Sequence, residues 1–169
     1  AAGMGNRLET KTAAQKAIDY CTEVHQSGDG YDRGGWRYGP KEAGDLSVTG
    51  WFIMALKSAK VAGLKVSPAA FDGAIRFLDS VEIKDAAASY GTASHYKYTP
   101  QDEHANSAHR LTAIGNLARQ FMGWKREELQ ASVEWFVNKG GVPRGEAVDL
   151  YYWYYGTLCV FQQGGNTWG

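Results

Sequence analysis

The chain has 169 residues, enough for one domain that buries an apolar core without help from metals or disulfides. Lys plus Arg and Asp plus Glu number 18 each, so the formal net charge is zero. That balance leaves no basic field for nucleic acid and no polybasic run for an anionic membrane surface. The longest apolar stretch, residues 150–161, is too short to span a bilayer and is rich in Tyr. The opening Ala1-Ala2-Gly3-Met4-Gly5 has neither a charged nor an apolar region of the signal-peptide kind. Residues 1–9 are expected to be a leader and residues 10–169 a single domain; the compartment is not indicated.

Taken in chain order, a first helix is expected over residues 12–26, followed by a glycine-rich loop over 28–44. A second helix over 46–62 carries Val48, Phe52, Ala55, Leu56 and Ala59 at the spacing of a buried stripe. Gly63 ends it as a left-handed C′ residue. Ser67 then caps a third helix whose first position is Pro68, and Phe71, Ala74, Ile75, Leu78 and Val81 form its apolar face. A second long loop covers 86–100. Helices over 105–122 and 126–138 follow, then a loop through Gly140, Gly141 and Pro143, and a last helix over 150–163. No segment alternates at period two for long enough to predict a strand.

The chain also repeats itself. Trp36-Arg37-Tyr38-Gly39-Pro40 answers Tyr96-Lys97-Tyr98-Thr99-Pro100, and the same offset carries Ser47 onto Ser107 and Gly63 onto Gly123. Ala17-Ile18-Asp19-Tyr20-Cys21 is matched by Ala74-Ile75-Arg76-Phe77-Leu78 and again by Ser132-Val133-Glu134-Trp135-Phe136. Asp149-Leu150 answers Asp45-Leu46. Six helices therefore fall into three pairs, with short turns inside a pair and long loops between pairs.

Residues 34–59, GGWRYGPKEAGDLSVTGWFIMALKSA, and 149–169, DLYYWYYGTLCVFQQGGNTWG, carry a resemblance. A Gly-Gly-Trp loop, an Asp and a Thr near the start of an apolar helix resemble the repeat of squalene–hopene and oxidosqualene cyclases. Protein prenyltransferase β-subunits and complement thioester domains share that α/α-toroid architecture. Gln163, Gly165 and Trp168 are similar to the cyclases' QW motif with shortened spacing, and Gln26, Gly35 and Trp36 match it more loosely. The resemblance implies an all-α fold: three helical hairpins of an α/α toroid, half of an α6/α6 barrel. The helices at Leu46, Ala105 and Leu150 would form its inner layer.

The family's chemistries are not carried over with the repeat. Polyene cyclisation needs Asp-x-Asp-Asp, whose flanking groups keep a central acid protonated; here Ser47 and Val48 stand in the central and last Asp positions. A helix N-cap is the plainer role for Asp45. Cys159 has no Asp and His at the spacing of the prenyltransferase zinc site. Neither Cys21-Thr22-Glu23-Val24 nor Cys159-Val160-Phe161-Gln162 is a thioester motif. Those cysteines are read as buried free thiols or, alternatively, a disulfide. His95, Asp102, Glu103, His104 and His109 invite a metal reading, but His104 and His109 do not share a helix face. Ser107, His109 and Asp45 can be written as a nucleophile triad, as in most globular chains.

No catalytic residue, cofactor or metal is therefore expected. Tyr151, Tyr152, Trp153, Tyr154 and Tyr155 cover every side of one helix turn, and either plug the centre of a ring or line a cavity. The candidate ligand-lining residues are Trp36, Asp45, Trp51, His109, Tyr151, Trp153 and Tyr155. The reading is a non-catalytic scaffold or binding domain of a larger cyclase-like protein. A terpenoid-cyclase or prenyltransferase-like enzyme with its acid elsewhere, and a protein-interaction module, are the alternatives. An isoprenoid-like apolar ligand, or self-association through open toroid ends, is the partner expected.

Overall fold

The computed structural model describes residues 8–30, 33–85, 91–102, 108–141 and 148–168. The chain is mostly helical and divides into two compact units, residues 1–80 and 81–169.

In the first unit, α1 (Leu8–Asp19) runs on into a π-helical turn, Tyr20–His25. The wider turn leaves the Cys21 carbonyl accepting from the Gln26 N–H at 3.1 Å. α2 (Leu46–Val61) and α3 (Pro68–Val81) follow. Asp45 caps α2 as expected: its Oδ1 accepts from the Val48 N–H at 2.8 Å. The buried stripe of α2 differs from the one expected. Leu46, Thr49, Ile53, Leu56 and Ala59 are buried, whereas Ala55 is exposed and Val48 and Phe52 are half-buried. The reason is local: the Trp36 N–H donates to Thr49 Oγ1 at 2.9 Å, which turns the Thr49 side of the helix inward. On α3, Ala74, Leu78 and Val81 are buried with Phe77, while Phe71 and Ile75 are half-buried.

Gly63 has φ 74°, and the two bonds closing this helix end run from the Gly63 N–H to Lys60 O and from the Leu64 N–H to Ala59 O. Gly123 repeats the motif in the second unit, with φ 105° and matching bonds to Gln120 O and Arg119 O. A Cβ at Gly63 would meet nothing within 4 Å, so only the backbone conformation opposes a side chain there. Gly63→Ala should cost about 1 kcal/mol; an unchanged urea midpoint would contradict this.

The second unit opens with a hairpin the sequence does not announce. β1 (Glu82–Asp85) pairs antiparallel with β2 (Ala93–Tyr96), Glu82 opposite Tyr96 and Asp85 opposite Ala93. This corrects the expectation of a chain without strands. Four-residue strands are too short to show a period. They are fixed instead by neighbours: the Ser94 N–H donates to Ser132 Oγ at 2.6 Å and the Lys97 N–H to Val81 O at 2.8 Å. α4 (Ala108–Met122), α5 (Arg126–Gly140) and α6 (Leu150–Gln163) follow, then a short 3₁₀ turn, Gly165–Thr167. α4 is the hub of this unit, packed by α5, α6 and β2. Residues 111–119 are all buried, so α4 has no wet face along nine successive positions. Glu128 Oε2 accepts from the Lys125 N–H at 2.7 Å at the start of α5, and Asp149 Oδ1 from the Tyr152 N–H at 3.0 Å at the start of α6.

Candidate functional site

The candidate residues fall into two groups, one in each unit. In the first, Gly34 and Gly35 let the glycine-rich loop lie directly on α3 and α2. Gln26 Nε2 holds the loop, donating to Gly34 O at 2.6 Å and to Ala70 O at 2.8 Å. Trp36 follows and is fully buried: its Nε1–H donates to Cys21 O at 2.7 Å, and its ring stacks on Phe52 at 5.2 Å and 7°. Expected to line a ligand site, Trp36 is sealed, while Tyr38 two residues on is exposed. Asp45 is also fully buried. Its Oδ1 accepts from Ser47 Oγ and the Val48 N–H, and its Oδ2 lies 3.9 Å from Arg37 Nε. Trp51 is exposed on α2.

In the second unit, His109 pairs with Asp149: Nε2 lies 3.5 Å from Asp149 Oδ2, and Arg110 Nη2 lies 3.0 Å from the same oxygen. The triad partner Ser107 and the metal candidates Glu103 and His104 lie outside the described residues. His95 stacks against Trp135 with centroids 3.7 Å apart and sits 3.7 Å from Asp85 Oδ2. Burial lowers the His95 pKa; Asp85 opposes that shift and Lys139 reinforces it. Among the described residues no three His, Cys, Asp or Glu side chains converge as a metal site.

The aromatic run divides by face. Tyr152 and Tyr155 are buried, Tyr151 and Trp153 half-buried, Tyr154 exposed. Tyr152 fills the space beside Gly140, its hydroxyl donating to Phe136 O at 3.2 Å and its ring edge-on to His109 at 5.0 Å. Burial, then the nearby Asp149 carboxylate, push its phenol up to about 12. Tyr155 is raised further, by burial first and then by Tyr151, whose ring lies 5.0 Å away. Both phenols stay protonated at neutral pH. Cys21 and Cys159 are free, and burial pushes both thiols up, most strongly for Cys159, so neither is an activated nucleophile.

The QW-like positions act structurally. The buried Gln163 donates from Nε2 to Arg126 O at 2.9 Å and Gln130 Oε1 at 2.8 Å, tying the end of α6 to the start of α5. Gln26 does the same for α3. Trp168 is not the counterpart of Trp36: it is half exposed and meets Phe161 edge-on.

Sequence reasoning missed a buried charge network. Arg119, on the hub helix, reaches Glu82 Oε2 at 3.4 Å and Tyr96 Oη at 3.2 Å, with its guanidinium 4.7 Å from the Trp124 ring centre. It borders a cleft of about 190 Å³ lined also by Lys84, Ser94 and Glu128. An Arg eleven residues after Ala108 gives no periodic signal; only the hairpin brings Glu82 and Tyr96 to it. A second cleft of about 260 Å³, in the first unit, is lined by Gln26, Ser27, Lys41, Ser67 and Arg76. Compared with protein-family models, with curated proteins and with solved structures, the chain matches none.

Proposed function

We propose that this chain is a non-catalytic binding or scaffold domain of the α/α-toroid type, comprising three of the helical hairpins that such a ring contains. The observation that carries the reading is the use made of Asp45. It occupies the position at which the cyclase-like repeat begins its acid motif, yet one oxygen is held by Ser47 and the Val48 N–H and the other faces Arg37. A fully buried carboxylate whose oxygens are turned to a helix N-terminus, a serine hydroxyl and a guanidinium is a structural cap and is not presented to a polyene as a proton donor. Further support comes from Trp36 and Tyr155, which are fully buried and pack as core aromatics. The remaining half-buried aromatics, Tyr151 and Trp153, suit an apolar isoprenoid-like ligand without attacking it.

Squalene and a farnesyl alcohol are suitable probes. The domain should bind them without converting them, and Trp153→Ala should weaken that binding severalfold while the circular dichroism spectrum is unchanged. Asp45→Asn keeps an acceptor for Val48 and should fold normally, whereas Asp45→Ala should lose about 1 kcal/mol of stability. Cyclised or transferred product from the native chain, lost in Asp45→Asn, would replace this reading with the enzymatic one.

A further inference from the structure

We infer that α6 is a self-association surface, and that its occupant is α6 of a second copy of this chain related by a two-fold axis. One stripe of α6 is Leu150, Tyr154, Thr157 and Phe161, at spacings of four, three and four, and every one of these residues is exposed. Leu150 is 71 % exposed, Tyr154 44 % and Phe161 58 %, and Trp168, 52 % exposed, extends the stripe by packing edge-on against Phe161 at 5.3 Å. Isolated exposed apolar residues are ordinary; three large ones along a single helix face, extended by Trp168 from the turn that follows it, form a patch of the kind that marks an interface.

Three observations select the occupant. α6 contains no Asp, Glu, Lys or Arg, so a two-fold axis through its ridge sets no like charges against each other. The corresponding end at α1 differs: its exposed Ala13, Ala17, Tyr20 and Val24 are flanked by exposed Lys16 and Glu23. Second, α4 shows what a helix of this repeat needs around it. Residues 111–119 of α4 are buried on all sides, and the helix meets α6 partly through Gln120 Nε2, which donates to Cys159 O at 3.1 Å and Gln163 Oε1 at 3.2 Å. α6 has α4 and α5 on its inward side and, among the described residues of its unit, no helix across the ridge. Third, the area is that of a weak, reversible dimer. With large side chains of about 150–250 Å² each, the ridge offers roughly 450 Å². Two ridges together bury about 900 Å² of apolar surface before any polar rim is added, close to the ~1,200 Å² at which specific interfaces begin. That size predicts a reversible dimer in the micromolar range. The inference rests on the surface of α6 alone and stands whether or not the hairpins belong to a toroid.

Sedimentation velocity of the whole chain from about 5 to about 300 µM tests it, because this range brackets micromolar dissociation. The native chain should shift from monomer to dimer. Phe161→Glu and Leu150→Lys, both exposed and each placing like charges across the axis, should remain monomeric at every concentration with an unchanged circular dichroism spectrum. Tyr20→Glu, on the π-helical turn that continues α1, should dimerise as the native chain does. A native chain that stays monomeric throughout overturns the inference, even if its ridge binds a hydrophobic dye, since the occupant is then something other than a second copy. Dimers that survive both α6 changes, or that are lost in Tyr20→Glu, overturn it equally. None of these outcomes bears on isoprenoid binding.

Discussion

Gly34→Ala should be among the most damaging single-methyl additions this chain can receive. Gly34 has φ +98°, a conformation that strains any side-chain-bearing residue. Its neighbour is also backbone: a Cβ would sit 2.7 Å from Gly73 Cα and closer still to the Gly73 carbonyl. No rotamer change relieves such a contact; the loop or α3 must move. Either movement breaks the bonds from Gln26 Nε2 to Gly34 O and Ala70 O and the bond from the Gly34 N–H to Ser27 Oγ at 2.9 Å. The expected loss is more than about 4 kcal/mol, in the tail reserved for named structural failures. Urea unfolding followed by Trp fluorescence would measure it. Gly28→Ala is the control: a methyl group there would meet nothing within 4 Å, so this variant should stay within about 0.5 kcal/mol of the native chain. Similar midpoints for the two variants would show that the loop does not press on α3.

Arg119→Ala is the second large effect. The guanidinium is almost wholly buried, and Glu82, its partner at 3.4 Å, is only 15 % exposed at the side chain. Removing the cation leaves a largely buried carboxylate, still held by Ser94 Oγ, without its counter-charge; it takes a donor from Tyr96 Oη and uncovers the Trp124 face. Breaking such a pair costs about 3–5 kcal/mol, most of it the penalty of the charge left behind. A double change tests the origin of that penalty. Replacing both partners, as Arg119→Met with Glu82→Gln, should recover most of the loss, because the uncompensated charge is gone. If the double variant is as unstable as the sum of the two single changes, the pair is not what organises this region.

Helix placement was legible because it depends on local signals. Asp45, Pro68, Gly63 and Gly123 mark helix ends by their own backbone chemistry, and each stands at the helix end expected for it. The rotation of α2 was not legible. It is set by Thr49 reaching Trp36, a contact between a helix and a loop with no period of its own. The hairpin was hidden for a related reason: Glu82-Ile83-Lys84-Asp85 has no strand-like pattern, and its pairing is imposed by Ser132 and Val81 from outside. At the candidate site, the capping role of Asp45 was readable, because an Asp before an apolar helix has one dominant use. The burial of Trp36 was not, since it depends on two glycines allowing a loop to touch α3 and α2. His109 was recognised, but its carboxylate partner is Asp149, forty residues further along.

The full enclosure of α4 has a consequence for how this sequence can change over time. Most helices keep an outward side on which neutral drift accumulates. With residues 111–119 all shut away from water, α4 offers no such side. Replacements there must arrive with compensating ones in α5, α6 or β2, so this stretch should diverge more slowly than the rest of the chain, and in concert with its neighbours.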